Sequence, residues 1–211
     1  MLRHETELVF KYFKTWRLQP NASKTETSSF HLNNSEANTS LNIFVNGQYL
    51  KHNQFPTYLG VTLDRPLTYK PHIDKLCQKL KTRNNLIHRL AGDSWGASAR
   101  TSVLSLVYST AEYCCSSWLN SSHCHLVDVQ LNNSMRIISG SVKYTPLEWL
   151  SVMSNIAPPR LRRQRFLNNT IKKCDTLEKS LLYNIRQDLP NIRLKRKPPW
   201  TIYDRTFNID L

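Results

Sequence analysis

Glycine is scarce in this 211-residue chain, which has five. Neither G-x-G-x-x-G nor G-x-x-x-x-G-K-[ST] occurs, so nucleotide binding by a phosphate-cradling glycine loop is excluded. Paired acids are missing too: there is no Asp-Asp and no Asp-x-Asp. After Glu26 the acidic residues stand alone apart from Asp175 and Glu178, and these open a helix, where the macrodipole favours acids for structural reasons. Glu5 and Glu7, near the start of another helix, have the same explanation. Two-metal phosphoryl transfer needs clustered carboxylates, so a self-contained nucleotidyl transferase is not expected. Long hydrophobic runs are also lacking. The most apolar stretch, Val103 to Leu119, is broken by Glu112 and several Ser/Thr and is too short and polar to span a bilayer. No apolar signal follows Met1, because Arg3, His4, Glu5 and Glu7 interrupt it. The five cysteines are odd in number, and the adjacent Cys114 and Cys115 do not bridge readily. Together with His123-Cys124-His125 they lack the repeated C-x-x-C spacing of a structural zinc site. Gly-x-Ser-x-Gly is absent as well. The expectation is a reduced, intracellular chain that is not secreted, holds no metal and does not enter a membrane.

What is present is positive charge. Twenty-nine Lys and Arg stand against 15 Asp and Glu, a net charge of +14, with the excess growing towards the C-terminal half. Such a field favours a polyanionic partner, nucleic acid or an anionic membrane surface. Lys75, Lys79 and Arg83 on one helix, and Arg160, Arg162, Arg163 and Arg165 on another, recur at spacings that let several side chains reach one row of phosphates. For any one of them an ordinary solvated helix face is the better account; for the set the two readings weigh about equally.

The apolar pattern divides the chain. Val9, Phe10, Phe13 and Trp16 have helical spacing, and Pro20 with Asn21-Ala22-Ser23 stops that helix. Phe30 and Leu32 alternate with polar neighbours, as in a half-buried strand. Asn46-Gly47 between Leu41–Val45 and Gln48–Leu50 supplies the positive φ values of a type I′ hairpin turn. Phe55 to Leu63 adds another strand, with Tyr58-Leu59-Gly60-Val61 at its heart. An antiparallel sheet of three or four strands is expected here. Beyond Pro71 the period turns helical. Ile73, Leu76, Cys77, Leu80, Ile87 and Leu90 share a face that ends at Gly92. A helix capped by Ser98 runs to about Trp118 and is apolar nearly all round, so it is expected to be central and buried. A third spans about His125 to Ser139 and ends at Gly140. Thr145-Pro146-Leu147-Glu148 reads as a capping box, and a further helix follows Pro158-Pro159. Thr176 and Glu178 restart that helix, and Pro190 ends it. The basic segment from Asn191, with Arg193 to Lys197, reads as a poorly ordered extension that could also act as a nuclear-localisation-type patch. The fold class is therefore α+β: a small antiparallel sheet region over 1–70, a mostly α-helical region over 71–190, and a tail over 191–211.

The order of these motifs is recognisable. Trp16-Arg17-Leu18-Gln19-Pro20-Asn21-Ala22-Ser23-Lys24-Thr25-Glu26, the Asn46-Gly47 hairpin, Tyr58-Leu59-Gly60-Val61-Thr62-Leu63-Asp64 with Leu67-Thr68-Tyr69 and His72-Ile73, then Glu112-Tyr113, Trp118 and Met135 to Gly140, resemble the end of the palm and the thumb of reverse transcriptases of non-LTR retrotransposons, jockey-type especially. The resemblance covers about residues 5–170. It implies an RNA-directed DNA polymerase family, with RNA or DNA primer–template as partner. Lys24 stands at the position of a candidate general acid for pyrophosphate departure, and Tyr58, Leu59 and Gly60 resemble the primer grip. As ordinary structure, Lys24 is a turn lysine and Gly60 a site of close backbone approach or a bulge. Pro20 departs from the family, which often has an aliphatic residue there. The family's metal-binding acids lie in an upstream [YF]-Ala-Asp-Asp turn and an earlier strand that this chain does not contain. Mg²⁺ is thus expected only for the full-length family enzyme, with no cofactor here. The implied activity is at most a grip on nucleic acid; the alternatives are a stand-alone basic nucleic-acid-binding adaptor or a non-functional remnant.

Overall fold

A computed structural model of the protein describes residues 2–36, 39–45, 48–91 and 98–176. The chain divides into two compact units, Met1–Pro71 and His72–Leu211. The α+β class holds: among the described residues helices dominate and short strands are confined to the first unit.

The first unit opens with α1, Leu2–Thr15, in which Glu5 and Lys14 sit at the ends that the helix dipole favours. Phe10 and Phe13 meet edge-on at 6.0 Å. The helix ends sooner than Pro20. Arg17 takes φ 52°, its N–H donates to the Lys14 carbonyl (3.2 Å), and Leu18 N–H reaches back to the Phe13 carbonyl (2.8 Å). That pair of bonds is a Schellman cap, which satisfies end carbonyls before proline can act.

Instead of one antiparallel sheet, the described residues form three separate two-stranded ladders. β1 (Glu26–Thr27) pairs with β4 (Lys51–His52) in parallel; β2 (Phe44–Val45) pairs with β3 (Gln48–Tyr49) antiparallel, as does β5 (Thr57–Tyr58) with β6 (Val61–Thr62). The β1–β4 direction follows from a long excursion, including the β2–β3 hairpin, that returns in the starting sense. Alternation over two residues carries no such information. Phe44 and Tyr49 meet edge-to-face across β2–β3 at 5.0 Å, while the Asn46-Gly47 turn itself lies outside the described residues. The expected strand around Phe30 and Leu32 is absent: both side chains are exposed and neither residue is in a ladder. The single strand expected over Phe55 to Leu63 is a tight hairpin. Leu59 (φ 46°) and Gly60 (φ 80°) form its two-residue loop, and positive φ at both positions is what a type I′ turn requires.

The second unit is helical. α2 (Lys70–Leu90), which begins at the end of the first unit, buries Ile73, Leu76, Leu80 and Ile87. Its expected stop, Gly92, is outside the described residues. Ser98 caps α3 (Ala99–Ser102) by accepting from Thr101 N–H. The long helix expected to Trp118 is broken. A π-helical stretch, Val103–Tyr108, runs into α4 (Ser109–Ala111); Cys114 then takes φ 50° before α5 (Cys115–Trp118). The expected burial is largely found: Val103, Val107, Tyr108, Ala111, Cys115 and Trp118 are in the core, but Tyr113, beside the break, is exposed. α6 (Cys124–Ser139) ends at Gly140 (φ 64°), whose cap bond and that of Ser141 both go to the Arg136 carbonyl. α7 (Leu147–Ser154) begins one residue later than the capping-box reading required. Pro146 occupies the N-cap with extended ψ, leaving Thr145 too far back to cap, and no side chain caps this end. α8 is Pro159–Asp175. Asp175 is the last residue of α8 and Thr176 its C-cap, so the two close a helix where they were expected to open one; Glu178, the stop at Pro190 and the basic tail 191–211 lie outside the described residues.

Candidate nucleic-acid interface

In the first unit, Lys24 projects from a turn built by Asn21. The Asn21 side-chain oxygen accepts from Ser23 N–H (3.0 Å), Ser23 Oγ (2.6 Å) and Lys24 N–H (3.3 Å), while its carbonyl accepts from Thr25 N–H and Oγ1. Asparagine is suited to this because its short amide mimics a backbone turn. The Lys24 side chain is exposed. Tyr58 and Leu59 stand at the β5–β6 turn, each 70% exposed, and Leu59 holds a left-handed backbone that a branched side chain adopts only at a cost. Lys24 precedes the parallel ladder and Tyr58-Leu59-Gly60 closes a different one, so the two expected sites sit on separate pieces of sheet.

Among the described residues of the same unit one carboxylate is buried, Asp64. It accepts from Thr68 N–H (3.0 Å), Thr68 Oγ1 (2.6 Å) and Tyr69 N–H (2.7 Å), which holds Leu67 (φ 50°) and Tyr69 (φ 60°) in left-handed geometry. Burial, followed by the nearby Asp64 charge, pushes the Tyr69 pKa up. Asp64 is therefore a turn lock. Among the described residues no three His, Cys, Asp or Glu side chains gather where they could hold a metal ion.

In the second unit the seven basic side chains separate into different environments. Lys75, Lys79 and Arg160 are exposed and Arg165 is half-buried. Arg83 turns inward and donates to the Leu106 carbonyl and Thr110 Oγ1, tying α2 to the π-helical stretch. Arg162 pairs with Glu112, its Nη2 at 3.0 Å from Oε2, and lies 4.9 Å over the Tyr108 ring. The hydrogen bond to Glu112 raises its pKa. Arg163 is buried and binds Asp128, with Nη2 at 2.9 Å from Oδ2; burial pulls its pKa down, and the Asp128 bonds more than reverse this. Arg83, Arg162 and Arg163 thus direct their guanidinium groups to protein partners.

A groove between α2 and α6, of about 450 Å³, has no acidic residue in its lining. Lys81, Asn85 and His88 come from α2, and Asn133 and Arg136 from α6. Lys143 reaches it after Gly140 turns the chain. Below them, buried Asn84 donates to the Gln130 carbonyl (3.1 Å) and accepts from Ser134 Oγ (2.7 Å), joining the two helices. The readable signal was a polar stripe at i, i+3, i+4 and i+7 on α2, Lys81-Asn84-Asn85-His88, which the basic rows elsewhere overshadowed.

Two thiols are buried in the helical core, Cys115 and Cys124. Burial pushes Cys115 up to about 12 and Cys124 up to about 11, and Cys124 Sγ donates to the Trp118 and Leu119 carbonyls at 3.2 Å. His72 is buried with its ring 6.3 Å from that of Trp118; burial, then Lys79 and Lys75, lower its pKa from 6.5. Below pH 6.5 the unfolded chain therefore binds a proton that the folded chain resists. Stability is full above that pH and falls as the pH drops through it. Thermal melts at pH 7.5 and 5.5 are expected to show a smaller acid loss in His72→Gln than in the native chain; equal losses would remove His72 as the cause.

Among the described residues no helix is long and apolar enough to cross a membrane. No family model matches the sequence, and no solved structure matches it. The chain is similar to the RNA-directed DNA polymerase from mobile element jockey of Drosophila melanogaster, with 30% identity over 73 residues. Those residues are 35% of this chain and 8% of the polymerase, so the similarity spans a small part of that protein's length.

Proposed function

We propose that this chain derives from the reverse transcriptase of a retrotransposon and grips RNA or DNA through its phosphates without joining nucleotides. The observation that carries the reading is the 30% identity with the jockey polymerase, found in a chain of net charge +14. Lys75, Lys79 and Arg160 are exposed at positions suited to backbone contacts, and Tyr58 and Leu59 offer an exposed apolar turn. The described residues gather no metal-binding set, so no step of nucleotide transfer is assigned to them.

Two measurements test this. Affinity for a primer–template duplex is expected to fall steeply between about 50 and 200 mM salt, by roughly 100-fold or more if five or so phosphates are engaged. Failure to bind at low salt overturns the grip. Primer extension with Mg²⁺ is expected to give no product, and robust incorporation by the chain alone overturns the non-catalytic assignment.

A further inference from the structure

We infer that the groove between α2 and α6 is where this protein seats the sugar–phosphate backbone of a nucleic-acid duplex. The inference rests on the proposed nucleic-acid grip and gives it a place. Four cationic or ionisable side chains, Lys81, His88, Arg136 and Lys143, converge there with no acid in the lining. Elsewhere in the unit Arg162 and Arg163 are neutralised by Glu112 and Asp128. Among the described residues, Lys81, Arg136 and Lys143 have no ion-pair partner. Arg136 is held only by an Asn133 amide oxygen, at 3.3 Å to Nη1, and its buried Nε has no hydrogen-bond partner. With no carboxylate of the described residues on it, this guanidinium can pair with an anion through its outer nitrogens.

The rest of the lining narrows the ligand. Amides of Asn85 and Asn133 flank the cations, and Lys, Arg, Asn and Gln are the side chains that contact phosphate and sugar. Ile137 is the one aliphatic side chain in the lining, too little for anchoring the apolar side chains of a peptide. Tryptophan, tyrosine and phenylalanine are absent from the lining, so the stacking platform typical of single-strand binding is missing. A backbone with its bases turned away, as in a duplex, fits best. The floor is a polar link between the helices, Asn84 bonding to both Gln130 and Ser134 on α6.

The test uses the full chain and a fluorescein-labelled RNA–DNA hybrid duplex of about 20 base pairs, with anisotropy read from low to high salt. The double variant Lys81→Gln/Lys143→Gln removes two exposed groove charges. Lys172→Gln/Lys173→Gln removes the same charge from exposed positions on α8. The groove variant is expected to bind about tenfold more weakly at physiological salt, with a log–log salt slope reduced by about 2. The α8 variant is expected to stay within about twofold of the native chain. Equal weakening by the two variants, or native affinity in the groove variant, overturns the groove and leaves the general grip standing. Tighter binding of the corresponding single strand than of the duplex overturns the duplex assignment. No binding by the native chain overturns the grip itself. Melting temperatures equal to native confirm that a loss is not unfolding.

Discussion

Asp128→Ala is expected to destabilise the helical unit by about 3 kcal/mol, because it leaves a buried guanidinium without its counter-charge. The Arg163 side chain is 8% exposed and that of Asp128 is 31%, so most of the burden falls on the arginine and the lower end of the buried-pair range applies. Urea unfolding followed by circular dichroism reads the change, which corresponds to a melting shift of roughly 10 °C. The double variant Arg163→Met/Asp128→Leu is expected to recover most of the loss, since an apolar pair of similar volume needs no compensation. Nucleic-acid affinity in that folded double variant should stay near native. If instead it binds much more weakly at unchanged stability, Arg163 belongs to the interface as well as to the core.

Amide hydrogens of α6 and the central part of α2 are expected to exchange at least a thousandfold more slowly than those of the three ladders. Protection follows the free energy of opening, which ranges from near zero in weakly packed segments to the global value in a core. The first unit buries Leu50 and Val61 as its only large apolar side chains among the described residues, while Leu8, Tyr12, Trp16 and Phe55 are exposed. The second buries Ile73, Leu80, Trp118, Val127, Leu131 and Met135. Isolated two-residue ladders add little, as short hairpins are marginal in water. Mass-spectrometric exchange over seconds to hours measures this. Comparable protection in both units would mean that the first has a source of stability beyond its buried side chains.

Much of the helical half was legible from local chemistry. Ser98 and Gly140 read correctly as caps because a side-chain acceptor and a left-handed glycine act within one turn. The Thr145 capping box failed for an equally local reason: Pro146 at the N-cap pushes the start of α7 past it. Strand pairing was less legible. Leu59-Gly60 carries only one glycine for two positive-φ positions, so the turn was hidden inside what looked like a strand. Parallel pairing of β1 with β4 depends on where the intervening chain returns.

The candidate site divides the same way. Sequence by itself determined the +14 charge, the α+β class, the similarity to a retrotransposon polymerase segment and the lack of paired acids, since these depend on residue identity and short-range periodicity. Only the tertiary structure decided which cations face solvent. Arg160, Arg162, Arg163 and Arg165 crowd two turns of one helix, and it takes Glu112, 50 residues away, and Asp128, 35 residues away, to turn two of them inward. Conversely, Lys81 lies more than 50 residues before Arg136 and Lys143, and lines one groove with them because Asn84 of α2 bonds to Gln130 and Ser134 of α6. A charge's partner is set by long-range packing, and in a low-dielectric interior that partner determines whether an arginine serves the fold or a ligand.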